Sequence, residues 1–107
     1  MKRGDLVTVA LPGDLGKPRP ALIIQSDLFD AHPSVAILPV TSELRSAPLF
    51  RIRIEPTDAN GLRHVSDVMV DKPQSISRAR VGRVIGRLDD ASMVSVHRAL
   101  AVFLGIA

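Results

Sequence analysis

Residues 79–105 read ARVGRVIGRLDDASMVSVHRALAVFLG, and along this stretch the spacing of the apolar residues changes from that of a strand to that of a helix. In residues 79–88, Gly82 and Gly86 predict a strand that bends where side chains are missing. Asp89 or Asp90 can then cap a helix, and Gly105 stands where a helix should end. The apolar residues at helical spacing between these caps are Met93, Val96, Leu100, Phe103 and Leu104. The stretch therefore predicts one amphipathic helix after the last strand.

The rest of the chain has the pattern of short strands separated by turns. Strands are predicted at residues 5–10, 20–26, 34–40, 49–54 and 65–71, with a Pro/Gly loop at 11–18 and a turn at 57–61. In LFRIRI at 49–54, Phe50, Ile52 and Ile54 face one way, and Arg51 and Arg53 face the other. Short strands without intervening helices indicate a mainly β fold, an antiparallel sheet or small barrel against which the C-terminal helix packs.

The composition is that of one small domain. The chain has 107 residues, of which 46% are hydrophobic and 23% charged, so a single domain spanning 1–107 is expected. It has no cysteine, which excludes disulfides and thiolate metal sites and favours a reducing compartment, with the cytoplasm as the default location. Asp5, Thr8 and Pro12 interrupt the first apolar run, which is too short for a signal peptide or a membrane span.

The charge favours an anionic partner. The net charge is +3, and eleven of the fourteen basic residues are arginine, which can pair with phosphate through two parallel hydrogen bonds. The chain has three Phe and no Tyr or Trp, so it lacks most of the aromatic surfaces on which single-stranded bases usually stack. A nucleic acid would therefore be held mainly through its backbone.

The three histidines do not indicate a metal or a catalytic triad. His32, His64 and His97 have no second His or Cys at metal-ligand spacing, and they are interpreted as loop or surface residues. There is no G-x-S-x-G elbow and no phosphate-binding G-x-x-x-x-G-K-[ST] loop. We expect no metal and no cofactor.

Two polar positions stand at the ends of apolar strands. Arg19 lies between Pro18 and Pro20 ahead of ALII, and Thr41 and Ser42 leave the third strand at PVTSE. A guanidinium beside a hydroxyl can bind a phosphodiester. From the residues alone, a structural role is favoured over a binding site: Arg19 covers a strand edge, and Thr41 or Ser42 caps a turn.

The order and spacing of several segments resemble those of the MazF/PemK family of toxins. RGDLVTVALPGDLGKPRPALIIQSD resembles the family's first strand, variable loop, R-P-A and hydrophobic strand, and LPVTSE resembles its P-x-T strand exit. NGL with SDVMVDKPQSISRARV resembles the stretch in which a D-Q pair precedes a [ST]-I turn, and VGRVIGRLDDASMVSVHRALAVFLGI resembles the last strand and helix. The resemblance covers about 100 residues of the chain.

The resemblance implies a fold, an activity and partners. The implied fold is a small SH3-like antiparallel barrel with a C-terminal helix, and the implied assembly is a homodimer, as in other members of the family. Members of the family are metal-independent endoribonucleases of type II toxin–antitoxin modules that cut single-stranded RNA, often messenger RNA. An acidic, flexible antitoxin segment covers the RNA groove. The loop at 11–18 resembles the family's mobile loop over the active site.

The resemblance also implies site residues. Arg19 of R-P-A and Thr41 of P-x-T correspond to the usual catalytic pair, with Ser42 as a helper, for attack of a ribose 2′-hydroxyl on the adjacent phosphate. Asp71 occupies the aspartate position of the D-Q pair, which here reads Asp71-Lys72, and it is a further catalytic candidate. The alternative for Asp71 is a surface salt bridge with Lys72 or Arg78.

Other residues are candidates for an RNA-binding track, with a solvated basic surface as the alternative. They are Lys17, Ser42, Arg51, Arg53, Arg78 and Arg80.

Two rival functions use the same fold. CcdB-type toxins poison DNA gyrase through a C-terminal Trp-Gly-Ile, whereas this chain ends Leu104-Gly105-Ile106-Ala107 and lacks the Trp. A binding module that has lost catalytic activity is the other alternative. The R-P-A and P-x-T segments favour the nuclease.

Overall fold

The described part of the chain forms seven strands and one α-helix. The structure is a computed structural model that describes residues 1–11, 13 and 17–106. The elements are β1 (Asp5–Val9), β2 (Arg19–Ile23), β3 (Ser34–Thr41), β4 (Arg51–Ile54), β5 (Ser66–Met69), β6 (Gln74–Ser77), β7 (Val81–Arg87) and α1 (Asp90–Leu104). Pro12 and residues 14–16 of the predicted loop at 11–18 lie outside the described residues, so the mobility of this loop stays a prediction.

All strand pairs are antiparallel, in the order β4-β5-β3-β2-β1-β7, with β6 also paired to β3. The long strand β3 pairs with β2 along one edge, while its other edge pairs with β6 near its start and with β5 at its end. The predicted antiparallel β fold with a C-terminal helix is confirmed. Among the described strands, β4 and β7 end the order without pairing with each other, so the sheet is open at these two edges.

The alternation of side chains gives the sheet two apolar faces. Leu6, Leu22 and Leu38 lie on one face and pack with Met93 and Val96 of α1 in the larger core cluster. On the opposite face, a second cluster contains Val7, Val9, Ala21, Ile23, Val35, Ile37 and Ile76. The helix thus packs against one face, and the apolar side chains of the other face are buried in the second cluster.

The ends of α1 agree with the sequence prediction. Asp89 is the N-cap, and its carboxylate accepts a hydrogen bond from the Ser92 amide at 3.0 Å. Gly105 ends the helix in a left-handed conformation with φ +74°. No helix in the described residues is long and apolar enough to cross a membrane.

Strand β6 is absent from the sequence prediction. Only Ile76 is buried among its four residues, so QSIS lacks the apolar alternation from which a strand is recognised. Its pairing with β3, from Ser34↔Ser77 to Ile37↔Gln74, forms it instead.

Candidate functional site

A groove of about 690 Å³ lies where β2 begins and β3 ends. Residues 18–20, 39–43 and 61–64 form most of its walls. The other described residues that line it are Thr8 of β1, Leu11, Ser66 and Met69 of β5, and Arg83 and Ile85 of β7. The groove therefore collects segments that are far apart in the sequence.

Strand register brings Arg19 and Thr41 together. Ala21 pairs with Pro39, and this register, continued by two residues, sets Arg19 opposite Thr41. Because side chains alternate along a strand, both fall on the face that carries Val9 and Ala21. Both residues line the groove. Arg19 and Thr41 are 22 residues apart in the sequence, and the pairing of two strands that the sequence predicts brings them close together.

The Thr41 hydroxyl is oriented by the backbone that follows it. Its Oγ1 accepts a hydrogen bond from the Glu43 amide at 3.1 Å. A hydroxyl has one hydrogen to donate in addition to its acceptor lone pairs, so the Thr41 O–H can still donate into the groove. Ser42 and Glu43 are exposed and line the same wall.

Among the residues that the structure describes, cations outnumber anions in the groove. Arg19, Arg63 and Arg83 line it with His64, against the carboxylate of Glu43. This excess favours an anionic ligand, because charges of one sign in a cleft concentrate the opposite charge. In the part of the chain that the structure describes, no group of three or more His, Asp or Glu side chains is placed to hold a metal ion.

Sequence reasoning missed three of the residues that line the groove. Arg63 and His64 follow the predicted turn at 57–61, and Arg83 lies on β7. His64 is exposed in a loop, as expected, but the groove was not foreseen there. The sequence signal for this part of the groove was the turn that ends at Gly61. In the structure Gly61 has φ +69°, and the 61–64 segment that begins there lies against Ile85 of β7.

Asp71 does not line the groove. It is half-buried just after β5, and its buried Oδ1 accepts no hydrogen bond from the residues that the structure describes. Arg78, one expected partner, donates from Nε to the carbonyl of His32 at 2.8 Å. The catalytic role of Asp71 stays a prediction.

The candidates for the RNA-binding track are dispersed. Ser42 lines the groove, and Lys17 is exposed two residues before Arg19. The guanidinium of Arg80 donates to the carbonyl of Ala10, just beyond the Val9↔Arg19 pair. Arg78 lies beside Pro33, at the opposite end of β3 from Thr41. Lys17 and Arg80 thus flank the groove, whereas Arg78 is remote from it.

Arg51 and Arg53 share a strand face as predicted, but a buried carboxylate lies between them. Arg51 is buried, and its Nη1 lies 3.5 Å from Oδ2 of Asp67. Arg53 Nε lies 3.0 Å from Oδ1 of Asp67, while about half of the Arg53 side chain stays exposed. Arg51 is thus held inside the protein. A role of Arg51 or Arg53 in binding RNA stays a prediction.

The Asp67 carboxyl is ionised in this cluster. Burial alone would raise its pKa, but hydrogen bonds from Arg53 and from the Arg45 amide, with the charges of Arg53 and Arg51, outweigh that effect. The pKa of Asp67 therefore lies below its usual value.

Comparison with known proteins places this chain in one family. The family described as "PemK-like, MazF-like toxin of type II toxin-antitoxin system" matches residues 2–104. A protein of Mycolicibacterium smegmatis named "Probable endoribonuclease MazF" is 53% identical over 108 residues, covering 100% of this chain and 99% of that protein.

Solved structures show the same fold at lower identity. The Mycobacterium tuberculosis toxin MazF-mt6 has a TM-score of 0.82 at 24% identity, covering 96% of this chain and 98% of that chain. A mycobacterial endoribonuclease solved in complex with its cognate antitoxin has a TM-score of 0.84 at 22% identity, covering 100% and 97%. Because the family match spans nearly every residue and one relative is identical at more than half of its positions, the chain belongs to the PemK-like, MazF-like toxins of type II toxin–antitoxin systems.

Proposed function

We propose that this chain is the toxin of a type II toxin–antitoxin module and cleaves single-stranded RNA in the groove around Arg19 and Thr41. The observation that carries the proposal is that both residues line one groove in which, among the described residues, three arginines face one carboxylate. The family and the name of the M. smegmatis relative support it. A messenger RNA substrate implies a cytoplasmic location, with residues 1–107 acting as one domain.

The reaction is an internal transfer at phosphorus. The ribose 2′-oxygen forms a bond to the adjacent phosphorus, and the bond from phosphorus to the 5′-oxygen of the next nucleotide breaks. The 2′-hydroxyl loses a proton and the leaving oxygen gains one, so the products are a 2′,3′-cyclic phosphate and a 5′-hydroxyl. Negative charge gathers on the phosphate oxygens in the transition state. A guanidinium held beside them stabilises that state more than it stabilises the substrate.

Arg19 and Thr41 divide this work. Arg19 is held by Pro18 and Pro20, since Pro20 restricts Arg19 to extended backbone and each proline fixes its own φ. Thr41, whose Oγ1 already accepts the Glu43 amide, donates its O–H to a phosphate oxygen. A guanidinium has five N–H donors and no acceptor and is a poor general base, so Arg19 acts chiefly through its charge and hydrogen bonds.

Two partners follow from the same groove. An acidic segment of the cognate antitoxin would compete with RNA for the cationic groove, as its charge is of the same sign as phosphate. A second copy of this chain forms a homodimer, which is supported by the half-exposed apolar side chains of Phe103 and Leu104. Sedimentation of the purified chain tests the dimer, and a single species of monomer mass would contradict it.

Two variants test the proposed activity, and a third variant at an exposed arginine is the matched control. Loss of the Arg19 guanidinium in Arg19→Ala should lower the rate of RNA cleavage by about 100- to 1,000-fold, as for a donor that stabilises transition-state charge. Thr41→Val should lower it by about 10- to 100-fold, the worth of one hydrogen bond to a charged group. Arg98→Ala removes an exposed arginine of α1 that does not line the groove, and it should leave the rate unchanged.

The outcomes separate the rival functions. Cleavage by Arg19→Ala at the rate of the unmodified chain would refute the proposed mechanism. Intact RNA together with inhibited DNA gyrase would favour the gyrase poison. Intact RNA that is nevertheless bound, with no effect on gyrase, would favour the non-catalytic module.

A further inference from the structure

One buried carboxylate organises the segment that follows Thr41. Asp67 is 0% exposed and lies on β5, where it pairs with Thr41 of β3 and Arg53 of β4. Its two oxygens receive the side chains of Arg51 and Arg53, and Oδ2 also accepts the Arg45 amide at 2.9 Å. We call these residues, Arg45, Arg51, Arg53 and Asp67, the Asp67 cluster.

The same arginines also hold the backbone of residues 43–45. Arg51 Nη1 donates to the carbonyl of Glu43 at 3.2 Å, and Arg53 Nη2 donates to the carbonyl of Arg45 at 3.4 Å. With the Arg45 amide bound to Asp67, three hydrogen bonds connect this non-strand segment to β4 and β5. A segment without ladder hydrogen bonds would otherwise be free to move.

This segment is also a wall of the groove. Thr41, Ser42 and Glu43 line the groove, and the Glu43 amide orients the Thr41 hydroxyl at 3.1 Å. A shift of the segment would therefore move both the Thr41 donor and the Glu43 carboxylate. Neither Asp67 nor Arg51 itself lines the groove, so the effect on a ligand passes through residues 41–43.

We propose that Asp67, through the Asp67 cluster, is a positioning residue for the reaction: it holds the 42–45 segment so that the Thr41 hydroxyl meets the scissile phosphate. This inference rests on the proposed function. Misplacement of a reacting group by about 1 Å can lower the rate on the order of 100-fold. Loss of the hydrogen bonds that hold the 42–45 segment can therefore lower the rate of cleavage.

The test compares Asp67→Asn with Asp5→Asn. Asp5 is a matched control, because it also pairs with an arginine, Arg87, at 3.0 Å and is mostly buried, but it does not line the groove or contact residues 41–45. With a single-stranded RNA substrate, Asp67→Asn should lower kcat by about 10- to 100-fold with KM changed by less than about threefold, because orientation and not uniform binding is lost. Asp5→Asn should leave kcat within about twofold of the unmodified chain.

A double variant separates positioning from stability. Asp67→Asn alone leaves the Arg51 charge buried without its partner and should destabilise the fold. Combining it with Arg51→Met removes that charge, so thermal stability should return toward that of the unmodified chain while kcat stays low. Recovery of kcat together with stability would overturn the proposal and leave Asp67 a structural residue.

Amide hydrogen exchange reads the segment directly. In Asp67→Asn and in the double variant, the amides of Glu43 and Arg45 should exchange at least about tenfold faster, while amides of β1 and β2 should keep their rates. Unchanged exchange at Glu43 and Arg45 would refute the positioning role. If even the unmodified chain leaves RNA intact, the proposed function fails, and the exchange measurement still decides whether Asp67 holds the segment.

Discussion

The turn at residues 57–61 makes a close contact with β7 that a single methyl group should disrupt. The Arg87 amide donates to the carbonyl of Ala59 at 2.8 Å, and Asn60 of the turn is buried. A Cβ placed on Gly86 would lie 2.2 Å from the carbonyl carbon of Asn60 and 2.6 Å from the Ala59 oxygen. These neighbours are backbone atoms, so a side-chain rotation cannot relieve the clash in Gly86→Ala.

The cost of Gly86→Ala follows from that geometry. Carbon atoms in contact lie about 3.5 Å apart, so the turn must retreat by roughly 1 Å. Overpacking of this kind costs about 1–3 kcal/mol, and loss of the hydrogen bond between Arg87 and Ala59 adds about 1 kcal/mol. We expect Gly86→Ala to lower the free energy of unfolding by about 2–4 kcal/mol.

Gly105→Ala provides the matched control. A Cβ on Gly105 would meet nothing within 4 Å, and only the left-handed conformation at φ +74° opposes it, at about 1 kcal/mol. Urea unfolding followed by circular dichroism, at one protein concentration, measures both variants. A loss in Gly86→Ala no larger than that in Gly105→Ala would refute the close approach of the turn to β7. Because residues 61–64 of the groove follow this turn, the folded Gly86→Ala protein should also cleave RNA more slowly.

Three further predictions concern stability. Burial and then the Arg3 charge lower the pKa of His97 below its unfolded value of about 6.5, so the unfolded chain binds more protons and stability should fall as the pH drops from about 7.5 to 5.5. In His97→Gln, urea unfolding across this range should show a smaller fall, and an equal fall in both proteins would contradict the assignment. Asp89→Ala removes the helix N-cap and should lower the free energy of unfolding by about 1 kcal/mol in the same assay, whereas a change near zero would show that the cap contributes little. Leu38→Ala empties a fully buried site and should cost about 2–5 kcal/mol, against less than about 0.5 kcal/mol for Leu28→Ala at a residue that is 88% exposed; equal losses would contradict the described core.

Local patterns predicted most of the fold. The alternation of Ile52 and Ile54 with Arg51 and Arg53 is observed in β4, since it depends only on the period of a strand. The helix caps at Asp89 and Gly105 were likewise predictable, because each depends on the chemistry of one residue. Strand β6 was not, because its place depends on pairing with β3 and not on its own apolar residues.

The candidate site was predictable only in part. Arg19 and Thr41 stand at strand ends that the sequence locates, and their pairing follows from the order of β2 and β3. Arg63 and Arg83 line the groove because of packing between segments that are distant in the sequence, and a single sequence does not predict such packing. Asp67 stands among apolar residues in VSDVMV, and a charge at such a position is a signal of burial with a partner that the sequence reading did not use.

The most direct measurement is the chemistry of the ends that the purified chain leaves on a long single-stranded RNA in the presence of EDTA. The proposed mechanism predicts fragments with 2′,3′-cyclic phosphate and 5′-hydroxyl ends, and no cleavage where a 2′-deoxynucleotide precedes the scissile phosphate. The same fragments should be nearly absent with Arg19→Ala. Fragments with 3′-hydroxyl and 5′-phosphate ends, or cleavage next to the 2′-deoxynucleotide, would contradict attack by the 2′-hydroxyl in the groove of Arg19 and Thr41.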